Sequence, residues 1–365
     1  MLLHMDGFDS YESSSDLLME YSRSSMYLEF GQGRWGVSAL SPYNYGGGLA
    51  WQSNNTLTEI WAGMGLSLSP GITDNYNLSF FSIGFTSAFN LITSTPAVSD
   101  IEIDITFNPV TLVWSVYRGT YVYPTSGQLI SSVMYPILPS VYHWIDIHYI
   151  INPGVSGVVE LWIDGNQILN ITNSNTTQFG STTFSTVNFG GDFGNPCLQS
   201  FIDDIYVLDT TGTYNNTRLG DTRIDATVPS ANGSTNNGTP YQQGGLPFPG
   251  PNYLMVNEQF WSNYNVVTLA NTLGQEELYY MTDLPDAPEN IQAIRVLAVA
   301  NASDSNSNVI ANTTVISGGV EADGNSTQLK TTYSHVSNIF ETNPSTLLPW
   351  ADFNIYGTQC GFKIT

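Results

Sequence analysis

The feature that most constrains this fold is a strict alternation of apolar and polar residues over residues 101–107. Isoleucine or phenylalanine takes every odd position, and a polar residue takes every even one. Because successive side chains of a strand point to opposite faces of its sheet, a period of two predicts a strand that is buried on one face. Runs of similar character predict further strands at residues 112–117, 144–151, 158–163 and 201–208.

Turn-forming residues separate these runs. Asp164-Gly165, between residues 160–163 and 167–169, predicts a hairpin, because type I′ turns require positive φ at both central residues. A helical period is found only over residues 15–23, where it is weak. Strands at roughly 8–12-residue spacing indicate an antiparallel sandwich, which we assign to residues 1–217.

The alternation stops after Leu208 and resumes near residue 277. Residues 218–255 are rich in Asn, Gly and Pro with few apolar residues, which predicts an extended linker. A chain of 365 residues exceeds what one core normally supports. We therefore expect a second, smaller β-sandwich over residues 256–365. Its predicted strands are residues 277–281, 291–300, 309–317, 327–336 and 356–364.

The charge balance restricts the partners. The chain has 31 Asp and Glu against 8 Lys and Arg, a formal net charge of −23. Nucleic-acid binding requires cations that displace phosphate counterions, and anionic membrane surfaces attract the same cations. We therefore expect neither partner. No stretch approaches the 18 apolar residues of a membrane span, and the first residues lack the pattern of a secretory signal. Cys197 and Cys360 are interpreted as two separate buried thiols.

Two sequence motifs are similar to motifs of enzymes. Gly31-Gln32-Gly33-Arg34-Trp35-Gly36 has dinucleotide-binding spacing, but no helix is predicted after it, so it is interpreted as a turn. Glu102-Ile103-Asp104-Ile105 matches a motif of laminarinase-like glycosidases, in which a second glutamate supplies the general acid.

That general acid is missing here. Thr106 and Phe107 occupy the two positions where the second glutamate would stand. Asp100, Glu102 and Asp104 are therefore expected to form the polar face of an ordinary strand. We predict no catalytic residue and no enzyme activity.

Metal and cofactor sites are not predicted either. His143 and His148 lie five residues apart in one predicted strand, so they point to opposite faces and cannot share a metal. Asp203 with Asp204, or Asp164 with Asp192, could contribute to a calcium site, but their spacing does not assemble six ligands. We predict no metal-binding and no cofactor-binding residue, and no cofactor.

Aromatic residues leave two interpretations open. The chain has 8 Trp, 21 Tyr and 17 Phe. Residues 43–48 and 117–123 combine tyrosines with glycines and polar residues, which suits stacking against sugar rings. Aromatic side chains also fill sandwich cores and subunit interfaces, so both roles remain.

Several segments resemble the laminin-G or concanavalin-A-like jelly roll as tailed-bacteriophage structural proteins carry it. They are residues 6–11, 159–165 and 202–207, and they imply that residues 1–217 form a concanavalin-A-like jelly roll. Residues 219–224, 276–285, 340–344 and 361–363 resemble the same phage proteins. The resemblance covers nearly the whole chain and rests on structural motifs. It implies a component of the virion and names no active site.

We therefore expect a non-enzymatic virion protein, associated with the tail as a fibre, collar or baseplate component. Two alternatives are a head decoration or head-fibre protein and a cell-wall-active glycosidase, the latter disfavoured by the missing glutamate. The expected partners are other virion proteins, further copies in a symmetric homo-oligomer and host-surface polysaccharide. If residues 5–8 and 201–207 bracket one domain, they should pair in one sheet.

Overall fold

A computed structural model describes the chain except for residues 25, 36–37, 43–47, 73–74, 76, 86–100, 123–124, 191–199, 243–244, 259–264, 271, 287, 289, 305–307 and 352–354, and except for the side chains of residues 23, 42, 120–122 and 125–126. The chain divides into two compact units. The first comprises Met1, Leu3–Phe8 and Ser13–Ile224; the second comprises Leu2, Asp9–Glu12 and Asp225–Thr365. No helix among the described residues has the length and apolar character needed to cross a membrane.

The first unit is built from antiparallel strands. Its strands are β1 (Leu2–Asp6), β2 (Arg23–Ser24), β3 (Met26–Phe30), β4 (Ser38–Pro42), β5 (Leu49–Leu57), β6 (Glu59–Leu68), β7 (Leu78–Gly84), β8 (Ile101–Asn108), β9 (Val113–Val122), β10 (Thr125–Met134), β11 (Tyr142–Ile150), β12 (Gly157–Ile163), β13 (Asn166–Ser174), β14 (Phe184–Phe189) and β15 (Ser200–Leu208). The helical period over residues 15–23 corresponds to a 3₁₀ turn, Asp16–Met19.

These strands form two sheets. The eight-stranded sheet has the order β13-β12-β11-β6-β15-β4-β3, with β1 also paired to β15. The seven-stranded sheet has the order β10-β9-β8-β7-β14-β5-β2. The pairing of β1 with β15 confirms that the start and end of this unit meet in one sheet.

The two sheets pack face to face. The rings of Tyr149 in β11 and Phe184 in β14 lie 5.3 Å apart, and those of His4 in β1 and Trp51 in β5 lie 5.7 Å apart. Alternate residues of the central strands, such as Ile147 in β11, are fully buried between the sheets. The predicted all-β jelly-roll sandwich is confirmed.

The hairpin predicted at Asp164-Gly165 is also confirmed. Ile163 pairs with Asn166, and the two residues between them have φ of 49° and 79°. These are the positive values that a type I′ turn requires.

The second unit contains β16 (Pro229–Asn236), β17 (Thr239–Gln242), β18 (Leu246–Pro247), β19 (Val266–Thr268), β20 (Glu276–Met281), β21 (Ile294–Ala300), β22 (Ile310–Ser317), β23 (Val320–Asp323), β24 (Thr327–Gln328), β25 (Ser334–Phe340) and β26 (Gln359–Ile364), with a 3₁₀ turn at Asn252–Met255. A six-stranded sheet has the order β16-β20-β26-β22-β23, with β24 paired to β22. The other strands form the sheet β18-β17-β19 and the ribbon β21-β25.

The core of the second unit lies between the ribbon and the six-stranded sheet. Val336 of the ribbon clusters with Ala311 and Ile364 of the sheet. Cys360 lies in a neighbouring cluster and is a free thiol, whose pKa burial raises to about 12. Cys197 lies outside the described residues.

Two predictions for this region require correction. Residues 327–336 do not form one strand, because β24 and β25 pair with different partners. Residues 218–255 are not an extended linker: residues 218–224 belong to the first unit, and β16 pairs with β20 in the sheet of the second.

Polar contacts explain why periodicity missed β16. The backbone N–H of Ser234 donates to Gln359 at 2.6 Å, and the side chain of Asn236 donates to the Leu278 carbonyl at 3.0 Å. The following chain is held by the buried Glu277 carboxylate, which accepts from the Gly238 N–H and the Asn252 amide. Such side-chain bonds need no apolar alternation, so the sequence pattern does not reveal them.

Gly63 in β6 provides a test of the packing on the outer face of the eight-stranded sheet. A Cβ at this position would lie 2.3 Å from Tyr206 Cε1 and 2.9 Å from the Asp146 carboxylate. We expect Gly63→Ala to lower the free energy of unfolding by about 2–3 kcal/mol, measured by urea denaturation. Gly154→Ala is the matched control, because its Cβ would meet only the Asn152 side chain. Equal stability of the two variants would contradict this account.

Candidate functional site

The outer face of the seven-stranded sheet is polar. Glu102, Asp104 and Thr106 share one face of β8, where the register sets Asp104 between Ser82 of β7 and Tyr117 of β9. Asn188 of β14 follows beyond Ser82. We call the residues of this band the polar sheet face: Ser79, Ser82, Glu102, Asp104, Thr106, Ser115, Tyr117, Thr186 and Asn188.

A bulge in β7 brings two serines to Asp104. The register shifts between Ser79 and Phe81, so Phe80 is an extra residue in the strand. Residues three apart would otherwise face opposite sides of the sheet. The hydroxyls of Ser79 and Ser82 donate to Asp104 Oδ1 at 2.6 and 3.3 Å.

Glu102 holds the loop that connects the two sheets. Its Oε2 accepts the backbone N–H groups of Gln178 and Phe179 at 2.5 and 3.1 Å, and its Oε1 accepts the Ser181 hydroxyl at 2.6 Å. The same loop is held on its other side, where the Tyr149 hydroxyl donates to the Thr176 carbonyl at 2.9 Å. Glu102 therefore has a structural role in positioning the β13–β14 connection.

The structure corrects the expected environment of β8. The alternation predicted a strand buried on one face, but every residue of β8 is buried. Glu102, Asp104 and Thr106 are fully enclosed although they are polar. Periodicity reports which residues are apolar, and it cannot reveal that a polar face is covered by other parts of the chain. Asp100 lies outside the described residues.

Two hydroxyls of the polar sheet face stand out. The buried oxygens of Thr106 and Thr186 have no hydrogen-bond partner among the described residues. Thr106 occupies the position where the glycosidases carry their second carboxyl group. The described part of this face therefore offers hydroxyl and amide groups around two carboxylates that already accept hydrogen bonds.

A second cluster, on the outer face of the eight-stranded sheet, centres on Arg34. Its backbone N–H donates to Asp203 at 2.7 Å, and its guanidinium donates to Asp204 at 3.4 Å, to the Thr222 carbonyl at 2.9 Å and to Asp221. The guanidinium carbon also lies 5.2 Å from the centre of the Trp144 ring. We call these residues the Arg34 cluster.

The Arg34 cluster contains the aspartates that the sequence offered for calcium. Asp203 and Asp204 lie at a bulge of β15, where Asp204 has φ of 50°. Their carboxylates accept from Arg34 and from backbone N–H groups, including that of Ile224 at 2.8 Å. The Arg34 cluster joins the turn at residues 31–35, β15 and the segment 219–224. Asp164 lies instead in the β12–β13 turn, and Asp192 lies outside the described residues.

Asp146 forms the adjacent buried contact. It is fully enclosed and accepts from Tyr206 at 2.6 Å, from the Trp144 indole at 2.9 Å and from Arg218 at 3.2 Å. Burial raises the pKa of Asp146 above its ordinary 3.8, although these donors act against the shift. Arg218 also stacks over Trp162, with its guanidinium carbon 4.2 Å from the ring centre.

The sequence interpretation missed Arg34, Asp146 and Arg218. The available signal was the scarcity of cations: the chain has only 8 Lys and Arg, and Arg218 directly precedes residues 219–224, which carry the phage resemblance. Buried carboxylates need such partners, and each rare arginine is a candidate for one.

The two histidines occupy opposite faces of β11, as predicted. His143 Nδ1 lies 2.6 Å from Asp164 Oδ2 at the hairpin. His148 lies between Glu59 and Glu160, at 2.8 and 3.0 Å, and stacks on Trp61 with 4.2 Å between ring centres. The described residues contain no group of three His, Cys, Asp or Glu side chains arranged to hold a metal ion.

The tyrosine-rich segments are only partly described. Residues 43–47 and Tyr123 lie outside the described residues. The Tyr117 hydroxyl, on the polar sheet face, accepts the Asn77 amide at 3.1 Å.

No protein-family model matches the chain, and no curated protein matches it. Among solved structures, an endo-β-1,4-glucuronan lyase from the fungus Trichoderma reesei is similar at 13% identity, with a TM-score of 0.42 over 57% of this chain and 95% of the lyase.

Two other solved structures have comparable similarity. The carbohydrate recognition domain of Emp46p, in a potassium-bound form, is 10% identical, with a TM-score of 0.39 over 53% of this chain and 95% of its own. A carbohydrate esterase from the Shiga toxin-encoding bacteriophage phi24B is 13% identical, with a TM-score of 0.37 over 57% and 97%.

The pairing of Arg218 with Asp146 predicts a pH-dependent loss of stability. Arg218→Met keeps the stacking on Trp162 but leaves the buried Asp146 carboxylate without its cation. We expect the free energy of unfolding to fall by about 2–3 kcal/mol at neutral pH, below the full effect of a buried pair because Arg218 is partly exposed.

The sign of the pH dependence follows from Asp146. Its pKa is raised in the folded state, so lowering the pH protonates the folded protein before the unfolded chain and removes the need for a cation. The difference in the free energy of unfolding between the parent and Arg218→Met should therefore become smaller as the pH falls. Arg218→Lys, which keeps the charge, is the control, and both are measured by urea denaturation. A difference in the free energy of unfolding that grows on acidification would refute the pairing of Arg218 with an ionised Asp146.

Proposed function

We propose that this chain is a structural protein of a tailed-bacteriophage virion. We place it in the tail, as a fibre, collar or baseplate component that contacts host-surface polysaccharide. The proposed role is mechanical and adhesive, without catalysis, and its site is the assembled particle.

The observation that carries the proposal is the meeting of the phage-like motifs in one scaffold. Strand β1 ends at Asp6, the first residue of the motif at residues 6–11, and it pairs with β15, which contains residues 202–207. Gly7 also lies so close to Ile224 that a Cβ would be 2.4 Å from the Ile224 carbonyl oxygen. The Arg34 cluster joins β15 to residues 219–224. Asp6 and Gly7, residues 202–207 and residues 219–224 thus serve to close the first unit, as expected of an architectural protein.

The state of the carboxylates supports a role without catalysis. A retaining glycosidase needs two carboxyl groups about 5–5.5 Å apart, one of them free to donate a proton. Both oxygens of Glu102 accept hydrogen bonds that hold a loop, and Asp104 accepts two serine hydroxyls. Among the described residues, Thr106 stands where the second acid would be needed.

Immunogold electron microscopy of purified virions tests the location. Antibodies raised against the chain should label the tails of the phage that encodes it. Label on the capsid would instead favour the head decoration or head-fibre protein, and particles without label would refute a virion role. Virions disrupted before labelling are the control for an epitope that is hidden by assembly.

A polysaccharide-hydrolysis assay tests the absence of catalysis. We expect no reducing-sugar release from laminarin, agarose or host polysaccharide, and no difference between the parent and Glu102→Gln. Glutamine can still accept the two backbone N–H groups, so this variant should fold. Sugar release that Glu102→Gln abolishes would overturn the proposal in favour of a glycosidase.

A further inference from the structure

Strand β10 is an edge strand whose described side chains are largely exposed. It pairs with β9, and no described strand pairs with its other edge. Residues 127–134 are all half-buried or exposed, with Leu129 at 50% and Met134 at 70% of full exposure. By contrast, every residue of β8 in the same sheet is buried.

The backbone of β10 presents hydrogen-bonding groups at this open edge. Its register with β9 is regular over Ser131–Met134, and the next residue, Tyr135, donates its N–H to the Leu112 carbonyl at 2.9 Å. In an antiparallel ladder, alternate residues direct their N–H and C=O groups to opposite sides. Ser132 and Met134 therefore direct theirs away from β9.

The usual protection of such an edge is missing over Ser131–Met134. Proteins block free edges with charged side chains, prolines or bulges. β10 contains no charged residue and no proline, and its two bulges precede Ser131. An edge that carries leucine, isoleucine, valine and methionine without any charge is a template for another strand.

Charge indicates which partner fits this edge. The chain carries 31 Asp and Glu, yet residues 105–145 contain none, and their only Lys or Arg is Arg118. The adjacent edge strand β13 lies within residues 165–191, which contain no charged residue. The Asn166 amide at the start of β13 donates to the Tyr135 hydroxyl at 3.5 Å, so both neutral edges lie on one side of the sandwich.

The surface formed by the edge strands β10 and β13 contains no acidic residue of either strand, although the chain as a whole is strongly acidic. Such a surface favours a partner that is itself acidic. A basic partner would be attracted to the carboxylates elsewhere, whereas a second copy, with net charge −23, is repelled everywhere that acids meet acids. Because β10 itself contains no Asp or Glu, two copies that pair along it bring no carboxylate of one β10 against a carboxylate of the other.

We propose that β10 is the self-association edge of this chain. Two copies pair β10 with β10 antiparallel about a two-fold axis, so that one sheet continues through both. The arrangement is isologous, because each copy contributes the same strand. The inference does not rest on the proposed virion role and applies to the purified chain.

Sedimentation equilibrium of the full chain over a range of concentrations tests the proposal. The parent should form a dimer. Leu129→Glu and Met134→Glu place like charges on the paired strands, and each should weaken dimerisation by about tenfold or more. Val155→Glu is the matched control: Val155 is 72% exposed and lies in the β11–β12 connection, outside both edge strands, so its variant should dimerise like the parent.

Three outcomes would overturn the proposal: a parent that stays monomeric, a trimer, or a dimer that both β10 variants leave intact while circular dichroism shows them folded.

Cysteines introduced singly at Gln128, Ser132 and Met134 provide a second measurement. Under oxidation, at least one should cross-link two copies near the two-fold axis, whereas Val155→Cys and the parent should not. A dimer that none of the three positions cross-links would also overturn strand-to-strand pairing.

Discussion

The need to provide donors for buried carboxylates underlies much of this structure. The chain has 31 Asp and Glu but only 8 Lys and Arg, so most buried acids cannot be paired with a cation. An unpaired buried charge is costly unless hydrogen bonds compensate it. In the first unit, Arg34 and Arg218 serve the aspartates of the eight-stranded sheet. Elsewhere, neutral groups donate the hydrogen bonds. Glu102 accepts from backbone N–H groups and a serine, Asp104 accepts from serines, and Glu277 accepts from an asparagine amide.

This solution links the composition to the architecture. Serine and asparagine side chains hold loops and strands by hydrogen bonds to buried acids and backbone groups, as Asn236 does for β16. The central strands of both sheets in the first unit therefore carry polar side chains, such as those of Asp104 and Asp146, that are enclosed on the outer faces. An acid whose oxygens already accept structural hydrogen bonds is poorly suited to proton transfer, and this is why the polar sheet face supports a structural role better than a catalytic one.

The distribution of charge also separates the sides of the first unit. The arginines gather where residues 218–224 cover the eight-stranded sheet, and the β10 side carries hardly any charge. Closure within one copy thus uses charge pairs, whereas the proposed contact between copies uses neutral backbone and apolar groups. In a chain with net charge −23, the second kind of contact requires surfaces without carboxylates.

The amino-acid sequence by itself determined several strands of the first unit, its hairpin at Asp164-Gly165 and its all-β class, because alternation and turn chemistry are local properties. The pairing of β1 with β15 was also predictable, since both ends of the unit carried recognisable motifs. Only the tertiary structure decided that Glu102 and Asp104 are enclosed, that Arg218 meets Asp146 across 72 residues, and that β16 joins a sheet. Those contacts join polar residues that are distant in sequence, and hydrogen bonds of this kind leave no period for a sequence to display.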